Sequence, residues 1–142
     1  MTFVVTFTVE GQPVGKQRPR FRRTGNFVST YTDAKTKTYE ALVKEVAQKA
    51  MGSSDPLETP VAFYCLISLP VPKSYSKKRV EACLNGSEMP TKKPDWDNMA
   101  KSVADAMNGV IYVDDSQIVH ATISKKYSTT AGVDVMVMEK LP

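Results

Sequence analysis

The chain has 142 residues, 42% hydrophobic and 24% charged, with a net charge of +4, which fits one globular domain spanning residues 1–142 with a real hydrophobic core. No apolar run is long enough to cross a membrane, and MTFVVTFTVEG lacks the basic start and long apolar block of a signal peptide, so a cytoplasmic protein is expected. A single histidine, His120, rules out a multi-histidine metal centre; Cys65 and Cys83 form neither a disulfide framework nor a zinc spacing, and no GxSxG supplies a serine nucleophile.

In chain order, Thr2 to Glu10 is β-branched and aromatic and predicts a strand. The Gly- and Pro-punctuated GQPVGKQRPRFRRTG predicts a basic loop, and NFVSTY a short strand. Thr32 or Asp33 then caps a helix in which Tyr39, Leu42, Val43, Val46 and Ala50 recur at helical spacing before Gly52. PVAFYCLISLPVP predicts a buried strand with Cys65 as core filler. SYSKKRVEACLNG predicts a short basic helix followed by a loop through Pro94.

WDNMAKSVADAMNG predicts the second long helix, with Met99, Val103, Ala106 and Met107 on one face and Gly109 as its stop. VIYV, QIVHATISKKY and VDVMVME predict three further strands. The sequence shows no internal repeat or domain boundary. This order implies an α/β (α+β) fold, a mixed β-sheet with helices packed on it.

Charge is unevenly spread. GKQRPRFRR carries Lys16, Arg18, Arg20, Arg22 and Arg23 with no acid among them; TKK adds Lys92 and Lys93, and KSYSKKR adds Lys73, Lys77, Lys78 and Arg79. Basic loops of this kind suit phosphate contacts. Yet Lys92 to His120 concentrates five aspartates: Asp95, Asp97, Asp105, Asp114 and Asp115.

In an extended Asp-x-Asp, Asp95 and Asp97 share a side. Lys101 follows Asp97 by one helical turn, and Asp105 follows by another. Asp114 and Asp115 end the VIYV strand, one facing the first acids and one away, with parity undecided. Convergent acids repel one another unless a cation stands between them. Mg²⁺ or Mn²⁺, which bind carboxylates, water and phosphate oxygens, suit that role, and the Lys101 ammonium could orient water or stabilise a leaving oxygen. The same residues also fit plainer roles: an N-cap, a dipole-favoured acid, a surface ion pair worth roughly 0.3–0.5 kcal/mol, and turn aspartates. Trp96 is expected to pack behind the acids, and His120 to be structural.

KPDWDNMAKSVADAMNGVIYVDDSQI resembles the signature of RusA-type Holliday junction resolvases, phage and prophage endonucleases, and GQPVGKQRPRFRR…YTDAKTKTYEALV is similar to the N-terminal half of that family's Gram-positive and phage branch. The resemblance implies a Mg²⁺- or Mn²⁺-dependent homodimer that nicks opposed strands of a DNA four-way junction. It places catalytic acids at Asp95, Asp97 and Asp115 and a catalytic lysine at Lys101; Asp114 is a further candidate ligand, and Asp105 matches a recurrent acid. The segment from Lys73 to Lys93 is longer than in compact members. Two other readings are a less selective nuclease of flaps and branched DNA, and a non-catalytic phage DNA-binding module.

Overall fold

The structure, a computed structural model, describes residues 2–17, 20–31 and 33–142, with Arg20 described by its backbone alone. Strand β1 (Val4–Glu10) alternates as expected, with Val5, Phe7 and Val9 turned inward. Strands β2 (Arg20–Thr24) and β3 (Phe27–Tyr31) then pair antiparallel as a separate hairpin. The NFVSTY strand is therefore present, but Arg20–Thr24 is a strand where a loop was expected. The signal lies in Gly25–Asn26: a two-residue connection with Gly25 at φ +62° is the geometry that closes a tight hairpin.

Helix α1 (Ala34–Met51) starts at Asp33, whose side chain accepts the Lys35 amide at 3.2 Å, and stops at Gly52, which takes φ +58°. Thr32, the other expected cap, lies outside the described residues. The buried stripe runs Thr36, Tyr39, Val43, Ala47 and Met51. Tyr39 and Val43 are thus placed as expected, while Leu42 and Ala50 fall on the solvent side. Strand β4 (Val61–Pro70), the basic helix α2 (Lys77–Leu84, capped by Ser76) and helix α3 (Trp96–Ala106) follow as the sequence suggests. Met99, Val103 and Ala106 are buried, with Met107 just beyond.

VIYV is not a strand. Past α3, the amides of Val110 and Ile111 both donate to the Met107 carbonyl at 3.0 Å, and Gly109, at φ +74°, donates to Tyr112 O at 2.8 Å. These bonds coil the segment into a turn that buries Val110, Ile111 and Tyr112. A four-residue apolar run carries no periodicity that separates a strand from such a buried turn. A single 3₁₀ turn, Asp115–Gln117, leads into β5 (Ile118–Ser128) and then β6 (Gly132–Glu139).

The main sheet has the order β1-β6-β4-β5, with β4 and β5 parallel and the other pairs antiparallel. Parallel neighbours need a long crossover, and here it contains α2, α3 and the 3₁₀ turn. This is the mixed α+β architecture expected. One face of the sheet (Phe63, Cys65, Ile67, Val133, Val135, Val137) packs with α1 and α3 into the core. On the other face, the register sets Thr6, Met136, Tyr64 and Thr122 in one row and Thr8, Asp134, Leu66 and Ser124 in the next. Tyr64, Leu66 and Met136 stay half-buried there, in a shallow trough of about 470 Å³. His120 is exposed on the same face, 5.7 Å from the Tyr64 ring. No helix among the described residues is long and apolar enough to cross a membrane.

Candidate active site

The acids occupy three places: the start of α3 (Asp95, Asp97), its last turn (Asp105) and the 3₁₀ turn before β5 (Asp114, Asp115). Asp95 holds the N-cap position of α3, and its backbone carbonyl accepts the Met99 amide at 3.0 Å. Its carboxylate makes no capping hydrogen bond; one oxygen takes a 3.4 Å contact from the Asn98 side-chain amide, and the residue is exposed. Capping therefore does not explain an aspartate here. Asp97 accepts the Asn98 amide at 3.0 Å in the first turn, where the helix dipole favours an anion. Between them Trp96 is 60% exposed, so it does not pack behind the acids as expected. The inward position one turn on belongs to Met99, which is fully buried.

Further along α3, the Lys101 ammonium lies 3.4 Å from one Asp105 oxygen and 3.5 Å from the other. Its side chain is 61% exposed. A solvated i,i+4 pair contributes roughly 0.3–0.5 kcal/mol, less than RT, so Asp105 holds Lys101 loosely enough to release it to a phosphate.

Asp114 and Asp115 do not end a strand but open a 3₁₀ turn, so strand parity does not apply to them. Asp114 caps it: its carboxylate accepts the Ser116 amide at 3.0 Å, while its own amide donates to Gln117 Oε1 at 3.0 Å. The bonds from Ser116 hold the Asp114 carboxyl below the usual carboxylate range. Asp115, half-buried, makes no side-chain hydrogen bond or ion pair among the described residues. Gln117 also donates to the carbonyls of Leu57 at 2.8 Å and Thr59 at 2.9 Å, tying the turn to the lead-in of β4.

Tyr112 ties the segment before the 3₁₀ turn to the last turn of α3, beside Asp105. Its buried hydroxyl donates to the Ala104 carbonyl at 2.7 Å. Burial pushes its pKa up, and the fields of Asp115, Asp105 and Asp114 add to the rise. Neither Gln117 nor Tyr112 stood out in the sequence, because both act through backbone carbonyls of distant or already helical residues.

The basic segments border this region unequally. Lys16 is an internal strut, 2.5 Å from Glu40 and 3.4 Å from Asp105, with only 20% of its side chain exposed. Its amide donates to Asn98 O at 2.9 Å. Close approach here needs Gly15, where a Cβ would stand 3.2 Å from Asn98 Cβ and 3.3 Å from Pro94 Cβ. A groove of about 240 Å³ results, whose lining includes Lys16, Lys35, Lys93, Asp95 and Asn98. Lys35 is a cation the sequence reading passed over, being one of several lysines on a solvated helix start. Lys92 and Lys93 are exposed, and Lys92 O accepts the Lys125 ammonium at 2.7 Å. Arg22 and Arg23 are exposed on the hairpin; Arg18 and the Arg20 side chain lie outside what is described.

As a donor set, Asp95, Asp97 and Asp115 offer carboxylate oxygens of the kind a hard divalent cation binds. Asp95 is free of capping and Asp115 of hydrogen bonds, whereas Asp114 is engaged by its turn. The chemistry fits Mg²⁺ or Mn²⁺. Among the described residues no three such groups already form a cluster of metal-binding dimensions.

The family model described as endodeoxyribonuclease RusA matches residues 10–138. An uncharacterized protein of Bacillus subtilis (strain 168), YqaN, is 39% identical over 137 residues, covering 95% of this chain and 96% of its own length.

Proposed function

The chain belongs to the RusA endodeoxyribonuclease family, and from that premise we propose that it is a Mg²⁺-dependent endonuclease that resolves DNA four-way junctions by paired, symmetric nicks. The observation that carries this reading is the state of Asp95, a carboxylate at a helix start that does not cap its helix. Asp97 follows two residues later on the same helix start, and Asp115 is free of the capping that engages its neighbour; in this proposal the three carboxylates are drawn together when DNA and the cation bind.

In this reading Asp95, Asp97 and Asp115 hold the cation, with Mn²⁺ able to replace Mg²⁺; when bound, the cation activates water and neutralises charge on the phosphoryl oxygens. Lys101 swings from Asp105 to the scissile phosphate and stabilises the oxygen that leaves. Asp114 positions Asp115 through the capped turn. Lys35, Lys92, Lys93 and the hairpin arginines draw the phosphate backbone across the acids, an attraction that weakens with salt and carries little sequence information. Lys16 holds the loop against α3 and so sets the wall of the groove.

Paired cutting calls for two sites related by two-fold symmetry, which matches the near two-fold symmetry of a four-way junction. The open sheet face supports a homodimer. Strand β4 reads as a continuous apolar run, as strands covered on both faces do, yet Tyr64 and Leu66 are covered on one side only by water. A two-fold axis parallel to the strands lays β1 of one copy over β5 of the other, bringing Glu10 opposite Lys126 in both directions.

The test uses a mobile four-way junction with Mg²⁺, Mn²⁺ or chelator, resolved on a denaturing gel beside Asp97→Asn. Paired metal-dependent nicks, absent from the variant while junction binding persists, are expected. Equal cutting of flaps and junctions would replace the resolvase by a general branched-DNA nuclease. Tight binding without nicks under any metal would leave a DNA-binding module.

A further inference from the structure

The hairpin β2–β3 is the least explained part of the molecule. It forms its own two-stranded sheet, and every residue from Phe21 to Tyr31 is exposed. Phe21 is 74%, Phe27 81% and Val28 62% exposed. An isolated two-stranded hairpin is marginal in water, and clustered exposed apolar side chains mark a surface that meets something.

Register decides how these side chains are arranged. Phe21 opposes Thr30 and Arg23 opposes Val28, which puts Phe21, Arg23 and Val28 on one face. Arg22 opposes Ser29 and Thr24 opposes Phe27, so the other face carries Arg22, Phe27 and Tyr31, with the Arg22 guanidinium 5.1 Å from the Tyr31 ring centre. Each face therefore pairs an aromatic ring with an arginine. From Gly11 to Thr32 the sequence has no acid. Within the hairpin Arg22 has the Tyr31 ring and Arg23 the Gly25 carbonyl at 3.3 Å, but neither has an anion there, so a neutral protein surface would leave both charges uncompensated. Against nucleic acid, phosphates compensate them and the rings have flat bases to stack on.

The root of the hairpin fixes where it acts. The chain enters it from Gly15 and Lys16, held against Asn98 and Asp105 of α3, and leaves it into Asp33 and α1. The ribbon thus springs from the wall of the groove that contains Asp95. Each strand of five residues spans about 16 Å. Within intact duplex the base faces are already stacked; they are open only where strands part.

We propose that the hairpin is a base-stacking arm that reads unstacked bases at a branch point in DNA, with Phe21 and Phe27 stacking on bases and Arg22 and Arg23 contacting the adjoining phosphates. This deepens the nuclease reading and rests on it for the position of the cut: the acids cut a phosphate, and the arm selects which phosphate is presented.

The experiment compares binding of the full chain, in the non-cleaving Asp97→Asn background, to a four-way junction and to linear duplex of the same length. The junction carries 2-aminopurine beside the branch. F21A/F27A is expected to lower junction affinity on the order of tenfold or more, to leave duplex affinity within about twofold, and to abolish the 2-aminopurine signal seen with the parent. F21W/F27W is expected to restore both. Arg22→Gln with Arg23→Gln is expected to weaken both substrates alike and flatten the salt dependence. Equal loss on junction and duplex, or no loss on either, overturns the proposal. So does a fall in solution mass for F21A/F27A, which would assign the hairpin to contact with a second copy. If the wild-type chain binds junctions without cutting them and F21A/F27A still loses that preference, the nuclease reading fails and the arm stands. If the wild type cuts and F21A/F27A keeps the preference, the arm alone falls.

Discussion

Asp114 and Gln117 hold each other reciprocally. The Asp114 carboxylate faces the amides of the 3₁₀ turn, and its own amide donates to Gln117 Oε1 at 3.0 Å. The same glutamine bonds the Leu57 and Thr59 carbonyls. Two adjacent aspartates therefore have different work: one builds the turn and the other is left free by it. Asp114→Ala is expected to lower stability by about 0.5–2 kcal/mol, the usual cost of a lost cap, and to reduce cleavage modestly through misplacement of Asp115. Asp115→Asn is expected to leave thermal stability unchanged and to reduce cleavage roughly 100-fold or more. Melting curves and single-turnover nicking of both variants check the division; the reverse pattern would exchange the two roles.

Lys101 gives a second separation of stability from activity. Its contact with Asp105 is solvent-exposed, so Lys101→Met is expected to change stability by less than about 0.5 kcal/mol. If Lys101 stabilises the leaving oxygen, its removal costs on the order of 100-fold in the cleavage step, with junction affinity almost unchanged. Lys101→Arg, which keeps the charge at similar reach, should recover part of the rate. A variant that cuts normally would return Lys101 to the surface.

The elements that anchor this site were legible where apolar spacing was long and regular. β4, α1 and α3 each give ten or more residues of pattern. The Lys101–Asp105 pair was legible because i,i+4 spacing sets both on one helix face, whereas the extended Asp95-x-Asp97 was not found, since α3 already begins at Trp96. VIYV was not, since four buried residues fit a strand and a turn equally well; only the Met107 carbonyl, which takes two amides, decides between them. Trp96 was misread for a related reason: the inward position belongs to Met99, three residues later in the same helix. Gln117 could not be found, because its partners lie at Leu57 and Thr59 and are backbone atoms that any residue supplies. The hairpin was hidden by its arginines, which suggested a loop although Gly25–Asn26 marked the turn.

Lys16 should tie stability to alkaline pH. Burial alone would lower its pKa, but Glu40 and then Asp105 outweigh this, and the ammonium titrates above the usual lysine value of 10.5. A folded-state pKa raised above the unfolded one gives stability that is full below the unfolded value and is lost as pH climbs through the folded value. Lys16→Met is therefore expected to destabilise the protein at neutral pH by about 1–3 kcal/mol, since a partly buried Glu40 is left unpaired. Its deficit relative to the wild type should shrink above pH 10.5. Denaturant melts of both proteins across that range check the sign; a deficit independent of pH would mean that packing, and not charge, holds the loop.

The open sheet face makes the last prediction. If two copies meet there, like charges side by side at its centre must be buried twice over, once for each copy, and Leu66 lies mid-row between Asp134 and Ser124, so a carboxylate in its place stands beside that of Asp134. Leu66→Glu is expected to convert a dimer into a monomer by light scattering. Because Leu66 is half-buried at the surface of its own chain and not in the core, the fold should survive with its melting behaviour largely kept. The monomer retains all of Asp95, Asp97, Lys101 and Asp115, so it should still nick a junction at high protein concentration. What it should lose is coupling: the two nicks would appear independently, with singly cut junction accumulating before resolution, whereas the wild type passes quickly through that intermediate. Supercoiled cruciform plasmid separates the cases directly, since uncoupled nicking yields relaxed circles and paired nicking yields linear product. A Leu66→Glu variant that stays dimeric and gives mostly linear product would place the two-fold contact elsewhere on the molecule.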